Sequence, residues 1–375
     1  MRFNKDTNWI PIIFLCSYHF ALFISLPFYL LYVPNTSDLL IFSIILLFLT
    51  GISITGGYHR YFSHKTFKTN KYVEFILLLF GSMTAQGSAL RWAFDHRIHH
   101  AFVDTDNDPY SIKKGFWYAH FLWILKKPKK IDPKIVSDLL KNKLVCFQHE
   151  YYPLCLVTTN SIVVLLAYLL FDDFLGSIIL AFGLRLFLLH HFTWFINSLA
   201  HTWGDKPFCQ EQSAVNNYII ALLTFGEGYH NFHHTFANDY RNGIKWYHYD
   251  PTKWFIWILF KCNLAHSLKE IDSLTIKKRM ILERKTILTQ KLKVAWYLRK
   301  DAIEEKIEEI SNSIVTSINK LYLLKKKCNY LRKNKAEKNH LMALKKELKE
   351  LKKRLRRDWK QWKNLSALIM TKVSC

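Results

Sequence analysis

Uncharged, apolar residues form four long blocks within the first 200 residues of the chain. Residues 7–37, 39–58 and 151–171 contain no Asp, Glu, Lys or Arg, and residues 174–200 contain only Arg185. A bilayer core roughly 30 Å thick is crossed by about 20 apolar helical residues. We therefore predict an all-α integral membrane protein with four transmembrane helices.

The loops between these blocks differ in charge, and the difference predicts an orientation. Residues 33–38 carry no Lys or Arg, and Asp172 and Asp173 separate the last two blocks. Lys and Arg are frequent between blocks two and three and after block four. Because Lys and Arg concentrate in cytoplasmic loops, we predict that both termini are cytoplasmic.

The last third of the chain has a different pattern, that of basic, amphipathic helices. Residues 267–375 hold 30 Lys plus Arg against 12 Asp plus Glu, a net charge of +18 out of +24. Leucines recur there at spacings of three and four, namely Leu341, Leu344, Leu348, Leu351 and Leu355. This spacing predicts a helical hairpin or coiled coil. We expect a membrane domain over residues 1–266 and a basic helical tail over 267–375, which contacts anionic lipid or itself rather than nucleic acid.

Histidines cluster at the ends of the apolar blocks. Nine of the 17 histidines lie in four short motifs: His59, His64, His96, His99, His100, His201, His230, His233 and His234. Two motifs have the spacing H-x-x-H-H, which presents three imidazoles on one face of a helix. His59 and His64 are five residues apart, about 140° around an α-helix. Either the helix ends between them or they serve two centres.

So many imidazoles predict two metal ions. Imidazole suits zinc, copper, iron or nickel, and the lack of cysteine in the motifs disfavours a structural zinc site. A site above apolar helices points to oxidation of a lipid chain, which favours iron. Asp95 and Glu227 are candidates to accept the second N–H of bound imidazoles. The carboxylates of "DTDNDP", residues 104–109, are candidates for the same role or for helix caps.

These motifs resemble those of the membrane fatty-acid desaturases, in particular the acyl-CoA (stearoyl-CoA) delta-9 branch. The similar segments are "GGYHRYFSHKTFKT", "WAFDHRIHHAFVDTDNDP", "NSLAHTWGDKPF" and "GEGYHNFHHTFANDYRNG". The resemblance covers roughly residues 10–266 and excludes the tail. It is closest to bacterial members, which implies a bacterial inner membrane as the location. It implies a cytoplasmic helical cap that holds two iron ions on the nine histidines.

The resemblance also implies roles for other residues. Asn197 would reach one metal through water, and four residues would line the bend of an acyl tunnel: Gln86, Trp92, Thr193 and Trp194. Gly87 and Phe94 replace an Asn and an Arg that acyl-CoA-dependent members carry near the cofactor headgroup. Four lysines partly keep an anion-binding surface there: Lys113, Lys114, Lys126 and Lys127.

The implied function is oxygen-dependent introduction of a cis double bond, at the delta-9 position, into a saturated acyl chain. Acyl-CoA is the first choice of substrate and acyl-lipid the second. The chain contains no G-x-G-x-x-G and no C-x-x-C. We therefore expect electrons from a separate ferredoxin-like or cytochrome-type donor with its reductase. The alternatives are a related membrane hydroxylase and a non-enzymatic, histidine-rich metal-binding membrane protein.

Overall fold

Helices make up nearly all of the regular structure. The computed structural model describes residues 6–34, 36–294, 300–334 and 338–372. Within these residues, four helices are long and apolar enough to cross a membrane: Trp9–Tyr32, Ser37–Ser63, Tyr152–Phe171 and Phe174–His201. They overlap the four apolar blocks, so the predicted number of membrane spans is confirmed. Lipid can cover the apolar side chains that these spans expose, such as Leu31 (77% exposed) and Leu169 (70%).

The helices before the tail have the following bounds. They are α1 (Trp9–Tyr32), α2 (Ser37–Ile52), α3 (Lys71–Ser82), α4 (Ala89–Phe102), α5 (Phe116–His120), α6 (Lys143–Glu150), α7 (Tyr152–Phe171), α8 (Phe174–Gly176), α9 (Arg185–Asn197), α10 (Tyr218–Leu223), α11 (His230–Thr235) and α12 (Pro251–Lys261). Two short strands, β1 (Lys68–Thr69) and β2 (Ala265–His266), pair antiparallel.

Two of the spans contain π-helix. The second span continues from α2 as a π-helix over Ser53–Ser63, and the fourth has one over Ser177–Leu184, between α8 and α9. In a π-helix the N–H of a residue bonds the carbonyl five positions earlier. His64 does this to His59, at 3.1 Å between its backbone N and the carbonyl oxygen. Residues five apart therefore lie on the same face.

Arg185, the only charge in the fourth apolar block, is 1% exposed. Its guanidinium donates to the carbonyl oxygens of Met83 and Ala181, at 3.0 and 2.9 Å, and to Asn160 Oδ1 at 2.5 Å. A charge inside an apolar helix persists only when such partners satisfy it. Arg185 thus ties three segments of the membrane domain together.

The chain divides into two compact units. The first comprises Met1–Lys206 and Glu211–Glu270, and the second comprises Pro207–Gln210 and Ile271–Cys375. The predicted boundary after His266 lies four residues before this division. The assignment of separate roles to the two parts remains a prediction.

The second unit is a bundle of three helices. They are α13 (Ser273–Val294), α14 (Lys300–Lys333) and α15 (Lys338–Lys372). Buried apolar side chains from all three form one core, which includes Leu288, Ile314 and Trp362. Leu348, Leu351 and Leu355 of the predicted leucine stripe pack against this core, and α13 adds a third helix to the expected hairpin.

Candidate metal centre

Four elements of the first unit bring the nine histidines together. The second-span π-helix contains His59 and is followed directly by His64, and α4 carries His96, His99 and His100 in its last two turns. His201 ends the fourth span, and α11 carries His230, His233 and His234. Seven of the nine are less than 10% exposed, and the other two, His64 and His100, are partly buried.

The imidazoles form two groups. Five belong to the first group: His59, His64, His96, His100 and His233. Four belong to the second: His99, His201, His230 and His234. Within each group, one ring nitrogen from every residue lies within 4.8 Å of all the others. His59 and His64 are in the same group, because the π-helix turns both toward one centre.

Each H-x-x-H-H motif is divided between the groups. On α4, His96 and His100 belong to the five-histidine group and His99 to the other. On α11, His230 and His234 belong to the four-histidine group and His233 to the other. The pair four residues apart therefore serves one group, and the middle histidine serves its neighbour.

The facing nitrogens have unshared electron pairs that suit a cation. In the first group, Nε2 of His59 is 2.9 Å from Nε2 of His233, and Nε2 of His64 is 2.8 Å from that of His96. Burial and neighbouring imidazoles hold the pKa of His96 and His233 well below the usual value. These rings are neutral at pH 7, as metal ligands must be.

A buried carboxylate fixes the first group from outside. Glu227 Oε2 lies 3.1 Å from Nδ1 of His59, and its Oε1 accepts from Arg60 Nη2 at 2.8 Å. Arg60 also bonds Asp250, at 2.9 Å between Nη2 and Oδ1. Burial would raise the pKa of Glu227, but Arg60 and His59 outweigh it and lower the pKa. A proton on His59 Nδ1 directed to this carboxylate leaves Nε2 free to bind a metal.

The second group has its own outer partners. Nδ1 of His99 is 2.9 Å from Asp108 Oδ1, within the "DTDNDP" segment. Nδ1 of His201 is 2.6 Å from Ser213 Oγ, and that hydroxyl donates to Asp104. Ser213 could not be predicted, because it lies in an irregular segment without a recognisable motif.

Near the first group, Asp95 has a different partner from the one predicted, and Tyr110 is a partner that was not predicted. The oxygens of Asp95, predicted to accept from an imidazole, are instead bonded by Arg91 at 2.8 and 2.6 Å, since Arg91 is one helical turn earlier on the same face. Tyr110, which the sequence analysis missed, places its hydroxyl 3.1 Å from His96 Nδ1. Its position just after the carboxylate-rich segment was the available signal.

A cavity of about 430 Å³ in the first unit extends to His59 and His96. Its lining includes all four residues predicted for the tunnel bend, Gln86, Trp92, Thr193 and Trp194, and also Asn197. Gln86 Nε2 donates to Thr193 Oγ1 at 3.0 Å, and the Trp92 ring stacks on His96 with 4.8 Å between centroids. Ligand cavities of a few hundred Å³ with mostly apolar walls are typical of sites for small organic molecules.

Basic side chains surround part of this cavity. Lys114, Lys126 and Lys127 line it, together with Arg91 and Lys129, which were not predicted. Lys113, the fourth predicted lysine, is not among the lining residues. Gly87 also lines the cavity, with a φ of +88° that favours glycine. An apolar cavity with a cationic part suits an amphiphile that has an anionic end.

Comparison with known proteins agrees with this geometry. The chain belongs to the fatty acid desaturase family, whose profile matches residues 38–259. It is 41% identical over 300 residues to a protein of Schizosaccharomyces pombe named "Probable acyl-CoA desaturase". It is 37% identical over 307 residues to "Acyl-CoA desaturase 1" of Saccharomyces cerevisiae. A Nostoc protein, "sn-2 palmitoyl-lipid 9-desaturase", is 36% identical over 271 residues.

The extent of the matches differs between these relatives. They involve 78%, 79% and 70% of this chain, respectively. The chain spans about three fifths of the two yeast proteins, 61% and 58%, and 90% of the Nostoc protein. Family membership, the membrane location and a metal centre therefore follow from the comparisons, the four spans and the two histidine groups.

Proposed function

We propose that this protein is an oxygen-dependent fatty acyl desaturase that introduces a cis double bond nine carbons from the carboxyl group. The observation that carries the proposal is an apolar cavity whose lining includes His59 and His96, two members of the five-histidine group, in a chain that holds two such groups of imidazoles. The relatives named as acyl-CoA and palmitoyl-lipid desaturases support the same chemistry. The products would supply unsaturated lipid biosynthesis.

We propose iron for both groups, with the nine histidines as ligands and Asn197 joined through water. When bound, two irons would supply the oxygen-activating redox chemistry that removal of hydrogen from an unactivated methylene requires. The overall reaction balances as one saturated acyl chain, O2, two electrons and two protons giving one unsaturated chain and two waters. The protein's own side chains hold the ligands neutral and the substrate in place.

Positioning is the main task of the cavity wall, because neighbouring methylenes are chemically almost identical. The bond from Gln86 to Thr193 and the stacking of Trp92 on His96 fix side chains of the cavity wall. We infer that they hold the acyl chain bent, so that one pair of carbons faces the imidazole groups. Fixed geometry of this kind can lower a barrier by several kcal/mol.

The carrier of the acyl chain is proposed from charge. Lys114, Lys126 and Lys127 would face the phosphates of coenzyme A, which makes acyl-CoA the first candidate and acyl-lipid the second. A single phosphate of a phospholipid would need fewer of these cations. A triple Lys→Gln variant therefore should raise the KM for stearoyl-CoA more than that for a stearoyl phospholipid.

We propose a cytoplasmic location for both termini and for the metal centre, from the loop charges. Electrons would come from a separate ferredoxin-like or cytochrome-type protein with its reductase. Fusion of a reporter that is active only in the cytoplasm to each terminus tests the orientation. Activity at only one terminus would contradict it.

The test of function is a fatty-acid profile with the double bonds located by mass spectrometry. The host lacks its own desaturase and expresses the wild type, His233→Ala or the matched control His340→Ala, whose histidine is exposed in the tail. We expect a new cis bond nine carbons from the carboxyl in the wild type and the control, and none in His233→Ala.

Other outcomes would redirect the assignment. A hydroxylated chain would identify a hydroxylase of similar architecture. If folded, metal-loaded protein supplied with electrons forms no product, the enzymatic proposal fails and a metal-binding role replaces it. A double bond that persists in His233→Ala would remove this histidine from the metal site.

A further inference from the structure

One end of the three-helix bundle consists of only two helices. α13 has 22 residues and α14 has 34, so α14 extends about 18 Å further at 1.5 Å per residue. The apolar cluster at that end joins Leu324 and Cys328 of α14 to Leu344 of α15. We name this hairpin, residues 324–333 and 338–353 among the described residues, the basic arm.

The positive charge of the tail concentrates in this arm. The sequence from 324 to 353 contains 12 Lys plus Arg and three Glu, a net charge of +9, which is half of the +18 in residues 267–375. The opposite end of α14 is acidic, since residues 300–309 contain five carboxylates and two lysines. Because α14 is about 50 Å long, the two charge types lie far apart on the bundle.

The arm's cations point outward and lack neutralising partners. Five exposed lysines lie on the two helices: Lys326, Lys333, Lys346, Lys349 and Lys353. Where the structure describes the arm's side chains, in residues 324–333 and 339–353, no Lys or Arg forms an ion pair with a carboxylate. Glu347 is paired with Lys320, which lies outside the arm, at 2.9 Å between Nζ and Oε1. The arm also exposes Tyr330 (66%) and Met342 (59%).

We propose that the basic arm is a docking surface for the anionic phospholipid headgroups of the bilayer that carries the same chain. Clusters of Lys and Arg close to a membrane bind anionic headgroups, and exposed Tyr and Met suit the interface between headgroups and acyl chains. The second unit follows Glu270 of the membrane domain directly in the chain, so it is tethered to a domain that spans a bilayer. The chain is not tethered in this way to a nucleic acid or to a second copy of itself.

Lysine footprinting of the full-length protein tests this proposal. The protein is reconstituted in nanodiscs of phosphatidylcholine alone or of phosphatidylcholine mixed with phosphatidylglycerol. An amine-reactive reagent labels accessible lysines, and mass spectrometry quantifies each site. We expect labelling of the arm lysines to fall at least about fivefold in the anionic discs, the factor that corresponds to roughly 1 kcal/mol per basic residue at such a surface. High salt should restore labelling.

Two matched variants separate the arm from general charge. The first carries Lys→Gln at Lys326, Lys333, Lys346, Lys349 and Lys353, and labelling is followed at Lys327, Lys345 and Lys352. The second carries Lys→Gln at five exposed lysines elsewhere in the bundle: Lys277, Lys293, Lys306, Lys360 and Lys363. Protection should disappear in the first variant and persist in the second. Circular dichroism checks that both keep their helical content.

Several results would overturn the proposal. High labelling of the arm lysines in both disc types means that the arm does not contact anionic lipid. Low labelling in both disc types means that protein, such as a second copy, covers the arm. Tight binding of an RNA or DNA oligonucleotide without lipid-dependent protection would assign the arm to nucleic acid. None of these readouts depends on desaturase activity.

Discussion

Replacement of Glu227 by Gln tests how an outer carboxylate holds one histidine group. Both carboxylate oxygens of Glu227 have partners. Oε1 accepts from Nε and Nη2 of Arg60 at 3.2 and 2.8 Å. Oε2 accepts from Asn242 Nδ2 and lies 3.1 Å from His59 Nδ1. A Gln amide must place its NH2 at one of these two positions. That NH2 then faces another donor, either the guanidinium of Arg60 or the N–H groups of His59 and Asn242. The hydrogen bonds at that position are therefore lost.

The expected effect is a loss of metal from the five-histidine group alone. Loss of an outer partner lowers metal affinity by about 10- to 100-fold, which equals roughly 1.4 to 2.8 kcal/mol. Asp108→Asn is the counterpart for the four-histidine group, since Asp108 lies 2.9 Å from His99 Nδ1. Each variant should therefore retain one metal ion per chain at chelator concentrations at which the wild type retains both.

The control for Glu227→Gln is Glu74→Gln. Glu74 is also buried, at 2% exposure, and accepts from Tyr61, Lys71 and Asn142. Its substitution disturbs an equally crowded carboxylate outside both groups. Metal content by mass spectrometry during chelator titration is the assay. If Glu227→Gln and Glu74→Gln lose metal alike, or if Glu227→Gln empties both groups equally, the reasoning is refuted.

Three further predictions concern pH, packing and the tail. Burial keeps the pKa of His233 below its ordinary value, so under acidic conditions the folded protein binds fewer protons than the unfolded chain. The unfolding free energy and the metal content should therefore hold above about pH 6.5 and fall below it. Thermal unfolding and metal analysis measure the two quantities. A Cβ at Gly51 would lie 2.3 Å from the ring of Phe225, so Gly51→Ala should cost about 1 to 3 kcal/mol in unfolding free energy, whereas Gly56→Ala, with 3.4 Å of room, should cost less. A chain that ends at Glu270 should keep its metal, and complete metal loss would show that the two units are not separable.

The sequence predicted the spans and the histidine set because both depend on local patterns. Blocks of about 20 uncharged residues match the bilayer whatever surrounds them. The geometry of His59 and His64 was not predictable, because the π-helical register depends on hydrogen bonds that composition does not encode. The pairing of Asp95 with Arg91 shows the same limit: a nearby charge outcompeted the imidazole that adjacency in sequence suggested.

The division of each H-x-x-H-H motif explains why the chain carries two copies. His96 and His100 of α4 share their group with His233 of α11, and His230 and His234 of α11 share theirs with His99 of α4. Positions four apart face one centre, while the middle position is offset toward the other. Neither helix can therefore complete a metal group without its counterpart.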